Sequence, residues 1–382
     1  MKNLTIDSGI LLINKPKDIS SFGVVSRVRK MLGMRKVGHL GTLDPFAVGL
    51  LPVVFGRGTR LTQYLIDHDK TYRVQVALGV ATETMDRDGA VIAESTLSDK
   101  RLRQLLANDC RIIRHAVDSL VGVQEQKPPM YSAVKIEGKP LYHYARLGEE
   151  KERAARVIEV YRAELLGVKQ DYSRHSPQDK TLLLDIIIEC SKGTYIRVLA
   201  DELGRRLDSV AHASELERVK VGSMSNEQAI ELAEAESLFY NDFGQDNRRW
   251  ISYVSELGHV LSLERAVADF LTQNLSYDDA LKIASGMAIP VSAVAANAGG
   301  GQIQQPGPLA NRCDTAVFTS GKSTQDLVDN IIGNRRQSNI FSLFLQDRLV
   351  ALARLTEDDK IQPETVFITR DELLREKENG DS

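Results

Sequence analysis

The chain has 382 residues, a net charge of −3, and ordinary fractions of hydrophobic (42%) and charged (26%) residues, which indicates a soluble protein of two domains. No apolar run approaches the roughly 18 residues of a membrane-spanning helix, and the first residues lack the apolar core of a signal peptide, so we expect a cytoplasmic protein without membrane contact. Cys110, Cys190 and Cys313 stand far apart, which fits a reducing compartment and predicts no metal site.

The charge is distributed unevenly along the chain. Residues 1–36 carry a net charge of +6, whereas residues 226–290 carry a net charge of −7. Ordinary surface variation is one explanation of such a difference. The other is a protein with one phosphate-facing half and one solvated half, and this second explanation predicts phosphate contacts in the amino-terminal part.

A short strand and a helix precede the first conspicuous motif. Residues 9–13 are apolar and are soon followed by a proline, which ends a strand. A serine pair at 20–21 is suited to cap a helix from about Phe22 to Leu32, which Gly33 closes. The apolar stripe of this helix consists of Val24, Val25, Val28, Met31 and Leu32.

One acidic residue lies in a segment that favours a rigid turn. The stretch from His39 to Pro52 contains Gly41, Gly49 and the Asp44–Pro45 step, which together favour a tight loop over a helix or a strand interior. A carboxylate among apolar neighbours is costly to bury unless a charged or donating group meets it. A capping aspartate is the simplest interpretation of Asp44; a reactive carboxylate held in one direction is the functional one.

The middle of the chain alternates between strands and short helices. Strands are predicted at Lys70–Leu78, Val157–Val168 and Thr181–Cys190, and helices at Thr59–Ile66, at Asp99–Leu106 and after Gly193. Within the third strand, residues 182–188 are apolar on both faces, which predicts a central position in a sheet. The pattern predicts an α+β fold with a mixed, mainly antiparallel sheet.

A basic arm and a different carboxy-terminal region complete the predicted organisation. Residues 124–150 combine prolines, aromatic residues and basic residues, which favours a mobile arm over a core element. Beyond about residue 225 the pattern changes, with an acidic helix at 227–240, an insert at 293–339 predicted to be disordered, and a hairpin at 340–354 that turns at residues 346–347. We therefore predict one domain over residues 1–225 and a second region over residues 226–382.

Five motifs occur in the order found in one known family. Residues 38–49, GHLGTLDPFAVG, resemble the signature of the TruB family of tRNA pseudouridine synthases. Further similarity lies at Asn14-Lys15-Pro16, Lys70-Thr71-Tyr72, Gln126 to Arg146, and Gly193-Thr194-Tyr195-Ile196-Arg197. The resemblance implies a pseudouridine synthase domain whose thumb, at about 124–150, closes over RNA. It also implies a small β-rich PUA-like domain at about 256–360, in which the 293–339 insert departs from the family pattern.

The resemblance also implies site residues. The family's pattern assigns Asp44 as the nucleophile, Arg197 as its ion-pair partner and Tyr72 as the residue that stacks on the base and could relay the C5 proton. Without the motif, Arg197 would be read as a helix-surface residue and Tyr72 as a half-buried strand residue. The implied RNA contacts are His39, Lys15, Asp86, Tyr131, Lys135 and Arg146, of which His39 enters the RNA loop vacated by the uridine.

The expected reaction converts uridine 55 in the T-loop of tRNA to pseudouridine after the base is flipped out. Because it breaks a C1′–N1 bond and makes a C1′–C5 bond with the same atoms, we expect no cofactor. We also expect no metal, and a monomer without an obligate protein partner. Two other functions stay open, namely an RNA-binding or RNA-folding protein and a guide-RNA-directed pseudouridylase. A glycosidase would need two carboxyl groups about 5 to 9 Å apart, and the sequence offers a single conspicuous one.

Overall fold

The computed structural model describes residues 6–172, 180–293 and 340–380. By its internal contacts the chain divides into two compact units, one built on Leu11–Val260 and one comprising Asp7–Ile10 and Leu261–Ser382. The domain boundary predicted at residue 225 stays a prediction. No helix among the described residues is long and apolar enough to cross a membrane.

The first sheet is large, mixed and mainly antiparallel, as predicted. The strands up to residue 261 are β1 (Gly9–Lys15), β2 (Val37–His39), β3 (Val48–Phe55), β4 (Lys70–Leu78), β5 (Val80–Thr82), β6 (Val91–Glu94), β7 (Gly122–Gln126), β8 (Lys135–Ile136), β9 (Lys139–Pro140), β10 (Arg156–Tyr172), β11 (Lys180–Cys190), β12 (Ala211–Val221), β13 (Met224–Ser225), β14 (Ile230–Glu231) and β15 (Val260–Leu261). Eleven of these described strands form one sheet with the order β14-β1-β3-β12-β4-β11-β10-β7, to which β2, β13 and β15 are added at β3, β12 and β1. The pairs β5–β6 and β8–β9 form separate small ribbons.

Helices cover parts of this sheet. Those of the first unit are α1 (Ser21–Leu32), α2 (Thr62–Leu65), α3 (Asp99–Asp118), α4 (Leu141–Arg146), α5 (Ile196–Arg206), α6 (Leu232–Ser237) and α7 (Asn247–Glu256). One core cluster joins α3 and α5 to β4, β10, β11 and β12, and another joins α1 and α7 to β1 and β3. The sheet therefore has a buried apolar layer at each of its two halves.

The predicted first helix is confirmed in its caps and in its buried face. The Ser20 side chain accepts a hydrogen bond from the Gly23 N–H, and Gly33 ends the helix with φ of 64°. The five predicted stripe residues are all buried. A serine N-cap and a left-handed glycine C-cap satisfy the free backbone groups at the two ends, so the sequence signals were sufficient here.

The central strands also follow the sequence pattern. Strand β11 lies between β4 and β10, which explains why its residues are apolar on both faces. On β4 the alternate residues Tyr72, Val74 and Val76 are buried, and the pairing of Tyr72 with Ile188 fixes the register against β11. The strand that carries the predicted active-site tyrosine is therefore an interior strand.

Three helix predictions differ from the structure. The helix predicted at 59–66 is a 3₁₀ segment, Gly56–Leu61, followed by the short α2. Helix α3 extends to Asp118, but residues 107–110 leave helical geometry and divide it. The helix predicted at 227–240 is divided into a 3₁₀ turn (Asn226–Gln228), β14, α6 and a π turn (Leu238–Asp242), because Ile230 pairs with Ile13 of β1 instead of continuing a helix.

The second unit is a small curved sheet with helices. Its elements are α8 (Leu263–Ala266), β16 (Leu271–Asn274), α9 (Tyr277–Ala284), β17 (Ile289–Pro290), β18 (Ile340–Leu345), β19 (Arg348–Leu355), β20 (Lys360–Val366) and α10 (Arg370–Gly380). The described strands pair in the order β16-β18-β19-β20-β17. The predicted hairpin is present as β18 and β19, with its turn at residues 346–347. This β-rich unit is consistent with the predicted PUA-like fold; most of the predicted disordered insert lies outside the described residues.

Candidate active site

Asp44 lies in the connection between β2 and β3. Gly41 and Gly49 have φ of 91° and 101°, which side-chain-bearing residues rarely adopt. At Gly49 an added Cβ would lie 2.4 Å from the backbone oxygen of Arg218 on β12, so only glycine allows this approach. The predicted tight loop is present at residues 40–47. Residues 48–52, which we had predicted to be loop, belong to β3, because this apolar run is buried as a strand.

Two side chains from the β1–α1 region fasten this loop. The Ser21 hydroxyl accepts a hydrogen bond from the Leu43 N–H at 2.8 Å and donates one to the Leu43 carbonyl oxygen at 2.9 Å. The Lys15 ammonium donates to the carbonyl oxygens of Pro16, Ile19 and Pro45 at 2.8 to 3.1 Å. These contacts hold the backbone on both sides of Asp44.

The position of Lys15 argues against the direct RNA contact implied by the family resemblance. Its side chain is completely buried, and its three donors are taken by carbonyl oxygens. Burial lowers the pKa of Lys15 to about 8, and the Asp44 carboxylate partly offsets this effect. The geometry gives Lys15 the role of supporting the Asp44 loop from behind.

The Arg197 guanidinium is the centre of the site. Its Nε donates to Asp44 Oδ2 at 2.8 Å, its Nη1 donates to the Thr84 carbonyl oxygen at 2.6 Å, and its Nη2 donates to the Tyr131 carbonyl oxygen at 2.9 Å. Nη1 also lies 3.3 Å from Asp86 Oδ2. Arg197 is 3% exposed whereas the Asp44 side chain is 33% exposed. The carboxylate therefore has a buried cation on one side and an accessible surface on the other.

Asp86 is a second carboxylate of the site, and the expectation of a single one is therefore wrong. Its Oδ1 accepts hydrogen bonds from the Thr84 hydroxyl and the Asp88 N–H, and the residue is 6% exposed. Desolvation raises the pKa of Asp86, against the lowering effects of Thr84 and Arg197. In this position Asp86 contacts Arg197 from inside the protein, and the RNA contact predicted for it stays a prediction.

Tyr72 lies near the Asp44 loop together with two buried basic residues, Arg218 and Lys70. Neither had a predicted role, although Lys70 belongs to the Lys70-Thr71-Tyr72 motif. Tyr72 pairs with Arg218 across β4 and β12, and both side chains are buried. Lys70, also buried, donates to the Ile66 carbonyl oxygen at 2.6 Å and to that of His68. Burial raises the pKa of Tyr72, while the Arg218 cation lowers it. The sequence carried no signal for Arg218, because the inward face of β12 becomes known only with the strand register.

His39 lies at the end of β2 and is partly buried. Its Nδ1 is buried without a hydrogen-bond partner among the described residues, and burial together with the nearby Arg218 lowers the pKa of His39. The imidazole is therefore mostly neutral at pH 7. A neutral ring at this position is compatible with the predicted insertion into RNA and supplies no extra charge.

The predicted thumb begins beside the site. Gln126 accepts a hydrogen bond from the Tyr195 N–H at 2.7 Å and donates to its carbonyl oxygen at 3.1 Å, which joins the end of β7 to the start of α5. The Tyr131 hydroxyl donates to Glu83 at 2.9 Å. Lys135 and Arg146 are exposed farther along the thumb. The carbonyl oxygen of Tyr131 thus contacts Arg197. Lys135 and Arg146 do not contact the Asp44–Arg197 pair.

The buried Lys70 predicts an alkaline change in stability. Burial lowers the pKa of Lys70 to about 8 from 10.5. Between these values the unfolded chain binds more protons than the folded chain, so the free energy of unfolding should rise with pH. From pH 8 to pH 10 we expect the intact chain to gain about 2 kcal/mol relative to Lys70→Met, measured by urea unfolding. Lys220→Met, an exposed position on β12, controls for loss of a surface lysine; a constant difference between the intact chain and Lys70→Met would contradict the prediction.

No group of three or more histidine, cysteine, aspartate or glutamate side chains among the described residues is arranged to hold a metal ion. The polar contacts of the site are instead those between carboxylates, guanidinium groups and backbone carbonyl oxygens. Such an arrangement can hold one carboxylate in a fixed direction with its countercharge already in place.

Comparison with known proteins gives concordant results. Residues 29–196 match the model of the TruB family pseudouridylate synthase, N-terminal domain. The tRNA pseudouridine synthase B of Aromatoleum aromaticum is 43% identical over 61% of this chain and 69% of its own length. The proteins of the same name from Blochmanniella pennsylvanica and Geobacillus thermodenitrificans are 38% and 42% identical, over 84% and 72% of their lengths.

Solved structures agree in fold. The crystal structure of a Cbf5-Nop10-Gar1 complex contains a chain that is 22% identical, with a TM-score of 0.61 over 97% of this chain and 88% of that one. At this identity the likeness is evidence of the fold alone. The sequence relatives extend the evidence from fold to family, and the chain therefore belongs to the TruB family of pseudouridylate synthases, which are isomerases.

Proposed function

We propose that this protein isomerises uridine 55 in the T-loop of tRNA to pseudouridine, with Asp44 as the nucleophile and without a cofactor. The curated relatives are named as tRNA pseudouridine synthases, which supports tRNA as the substrate. The position in the T-loop rests on the sequence resemblance described above. The uridine lies in a folded loop, so it must be extruded first, at a cost of a few kcal/mol that stacking and backbone contacts offset.

The observation that carries the proposal is the pairing of Asp44 with Arg197. A guanidinium stays charged at all physiological pH values, and the Nε–H of Arg197 gives the Asp44 carboxylate a fixed hydrogen bond and countercharge. Here the guanidinium is buried, while one third of the carboxylate side chain is exposed. An ionised carboxylate with an open face is what attack on a flipped nucleoside requires.

The reaction conserves all heavy atoms. The C1′–N1 bond breaks, the uracil turns while it stays enclosed, and the C1′–C5 bond forms; the C5 proton leaves and N1 gains a proton. Asp44 attacks the nucleoside at C1′ or C6, or acts through a glycal, and these routes stay open. Tyr72 stacks on the base and relays the C5 proton through its hydroxyl.

RNA binding is assigned to the exposed residues around the site. His39 enters the space left by the uridine, and Tyr131, Lys135 and Arg146 contact the RNA from the thumb. The exposed side chains of Lys135 and Arg146 support phosphate contacts. We further propose that the protein acts as a cytoplasmic monomer without an obligate protein partner.

A glycosidase is disfavoured although the site contains two carboxylates. Hydrolysis by a carboxylate pair requires both groups to face the scissile bond. Asp86 is 6% exposed and accepts hydrogen bonds from Thr84 and Asp88, so it does not face the side on which Asp44 is open. Retention of the uracil, without release of free base, is therefore the expected outcome.

The proposed function is tested by incubating the purified protein with a bare T-arm hairpin and quantifying pseudouridine by mass spectrometry. We expect one pseudouridine per RNA at position 55, without guide RNA, metal or cofactor, and none in a hairpin with cytidine at position 55. Tight binding without product would indicate the RNA-binding alternative. Product formed only when a guide RNA is added would indicate the guide-directed alternative.

A further inference from the structure

A buried arginine lies between the Asp44 loop and Tyr72. Arg218 is on β12, where it pairs in register with Gly49 of β3 on one side and Tyr72 of β4 on the other. It is 1% exposed. Burying a guanidinium is costly unless its donors are satisfied, so the partners of Arg218 indicate what its charge is used for.

Three of these partners are backbone oxygens of the segment that carries Asp44. Arg218 Nε donates to the Leu50 carbonyl oxygen at 2.8 Å, and its two terminal nitrogens donate to Gly41 at 3.2 Å and Thr42 at 3.4 Å. No carboxylate of the described residues forms an ion pair with Arg218. The guanidinium therefore holds the start of the Asp44 loop, at Gly41 and Thr42, against β3 at Leu50. It does not form an ion pair with an acidic residue among those described.

The remaining neighbour is Tyr72, which pairs directly with Arg218 across β4 and β12, so that the two buried side chains lie side by side on the sheet. The same side chain thus contacts the backbone that positions the carboxylate and lies next to the residue assigned to the C5 proton. Arg197 has a different relation to the site, because it contacts the Asp44 carboxylate itself.

We propose that Arg218 is a positioning residue for the isomerisation, which fixes the Asp44 loop relative to the neighbouring Tyr72 so that both reach one nucleoside. The inference rests on the proposed function and extends it to a residue that does not touch the substrate. Lysine at this position keeps the charge but lacks the planar fork that reaches the carbonyl oxygens of Gly41, Thr42 and Leu50. Misplacement of a reacting group by about 1 Å costs on the order of 100-fold in rate.

The test compares the intact chain, Arg218→Lys, Tyr72→Phe and the double variant in single-turnover conversion of the T-arm hairpin. We expect Arg218→Lys to slow conversion about 100-fold, with an RNA dissociation constant within about threefold of the intact chain. In the Tyr72→Phe background, the same substitution should cost at most about tenfold, because one of the two groups it aligns is already absent. Arg29→Lys is the matched control, since Arg29 is a half-buried arginine that donates to the Val37 carbonyl oxygen on β2; it should leave the rate within about threefold.

Each outcome decides the question. A rate for Arg218→Lys equal to that of the intact chain, or equal losses in both Tyr72 backgrounds, would overturn the inference while leaving the proposed function intact. Absence of product with the intact chain would overturn both. If Arg218→Lys melts more than about 10 °C lower, Arg218→Gln is measured in its place, and failure of both variants to fold would make Arg218 a purely structural residue and refute the proposal.

Discussion

Asp44→Asn is expected to lower the single-turnover rate of pseudouridine formation at least about 10⁴-fold, the loss typical of removing a nucleophile. An amide has nearly the same shape as the carboxylate, and its oxygen can still accept the hydrogen bond from Arg197 Nε. The backbone contacts of the loop with Ser21 and Lys15 do not involve the Asp44 side chain. The variant should therefore fold normally and lack only the ionised group.

RNA binding provides the contrast for this variant. Because phosphate contacts dominate the affinity for nucleic acid, we expect the RNA dissociation constant of Asp44→Asn to stay within about threefold of the intact value. Asp67→Asn, an exposed aspartate paired with Lys192, is the control for loss of a surface carboxylate and should retain its rate. Substantial product from Asp44→Asn would refute the assignment of the nucleophile, and equal losses of rate and binding would point to a role in RNA recognition alone.

Arg197→Met is expected to lower both stability and activity. It removes the donors to Asp44, Thr84 and Tyr131, and it leaves Asp86 buried without its cation. Removing one partner of a buried ion pair typically costs about 3 to 5 kcal/mol, so we expect a decrease of about 3 kcal/mol in the free energy of unfolding. The single-turnover rate should fall at least about 10³-fold, because Asp44 loses its countercharge and its fixed direction.

A second substitution separates the two effects of Arg197→Met. Adding Asp86→Asn removes the uncompensated buried charge, so the double variant should recover part of the stability measured by urea unfolding while its rate stays low. Arg205→Met, on the exposed face of the same helix and paired with Asp201 at i,i+4, should change stability by no more than about 0.5 kcal/mol. Recovery of the rate together with the stability would show that Arg197 supports the fold and does not assist Asp44.

The parts of the fold that the sequence predicted are those determined locally. Helix α1 has its serine cap, its apolar stripe and its terminal glycine within fourteen consecutive residues. Strand β11 is recognised because residues of an interior strand are apolar on both faces. In contrast, the region 227–240 has a helical composition, but Ile230 is drawn into the sheet by a strand more than two hundred residues earlier. Tertiary contacts of that range override local propensity, and a single sequence does not display them.

The candidate site likewise combines features that the local sequence predicts with features that depend on residues distant in sequence. The loop character of residues 40–47 follows from its glycines and proline, whereas Arg197 is 153 residues away from Asp44 and could be paired with it only through the family resemblance. Lys15 was expected to contact RNA, because the sequence does not show that its ammonium is occupied by carbonyl oxygens, including that of Pro45 thirty residues away. Arg218 was missed because an inward arginine on a strand is indistinguishable, in sequence, from one on the outer face until the register is known.

The most direct test is the release of the C5 hydrogen from a T-arm RNA labelled with tritium at C5 of uridine 55, with protein in excess. The protein alone should release one equivalent of tritium per RNA, at a rate equal to that of pseudouridine formation. Asp44→Asn should bind the same RNA and release none. Tritium release by Asp44→Asn at the intact rate, or no release by the intact protein bound to the RNA, would contradict the assignment of Asp44 as the group that starts the isomerisation.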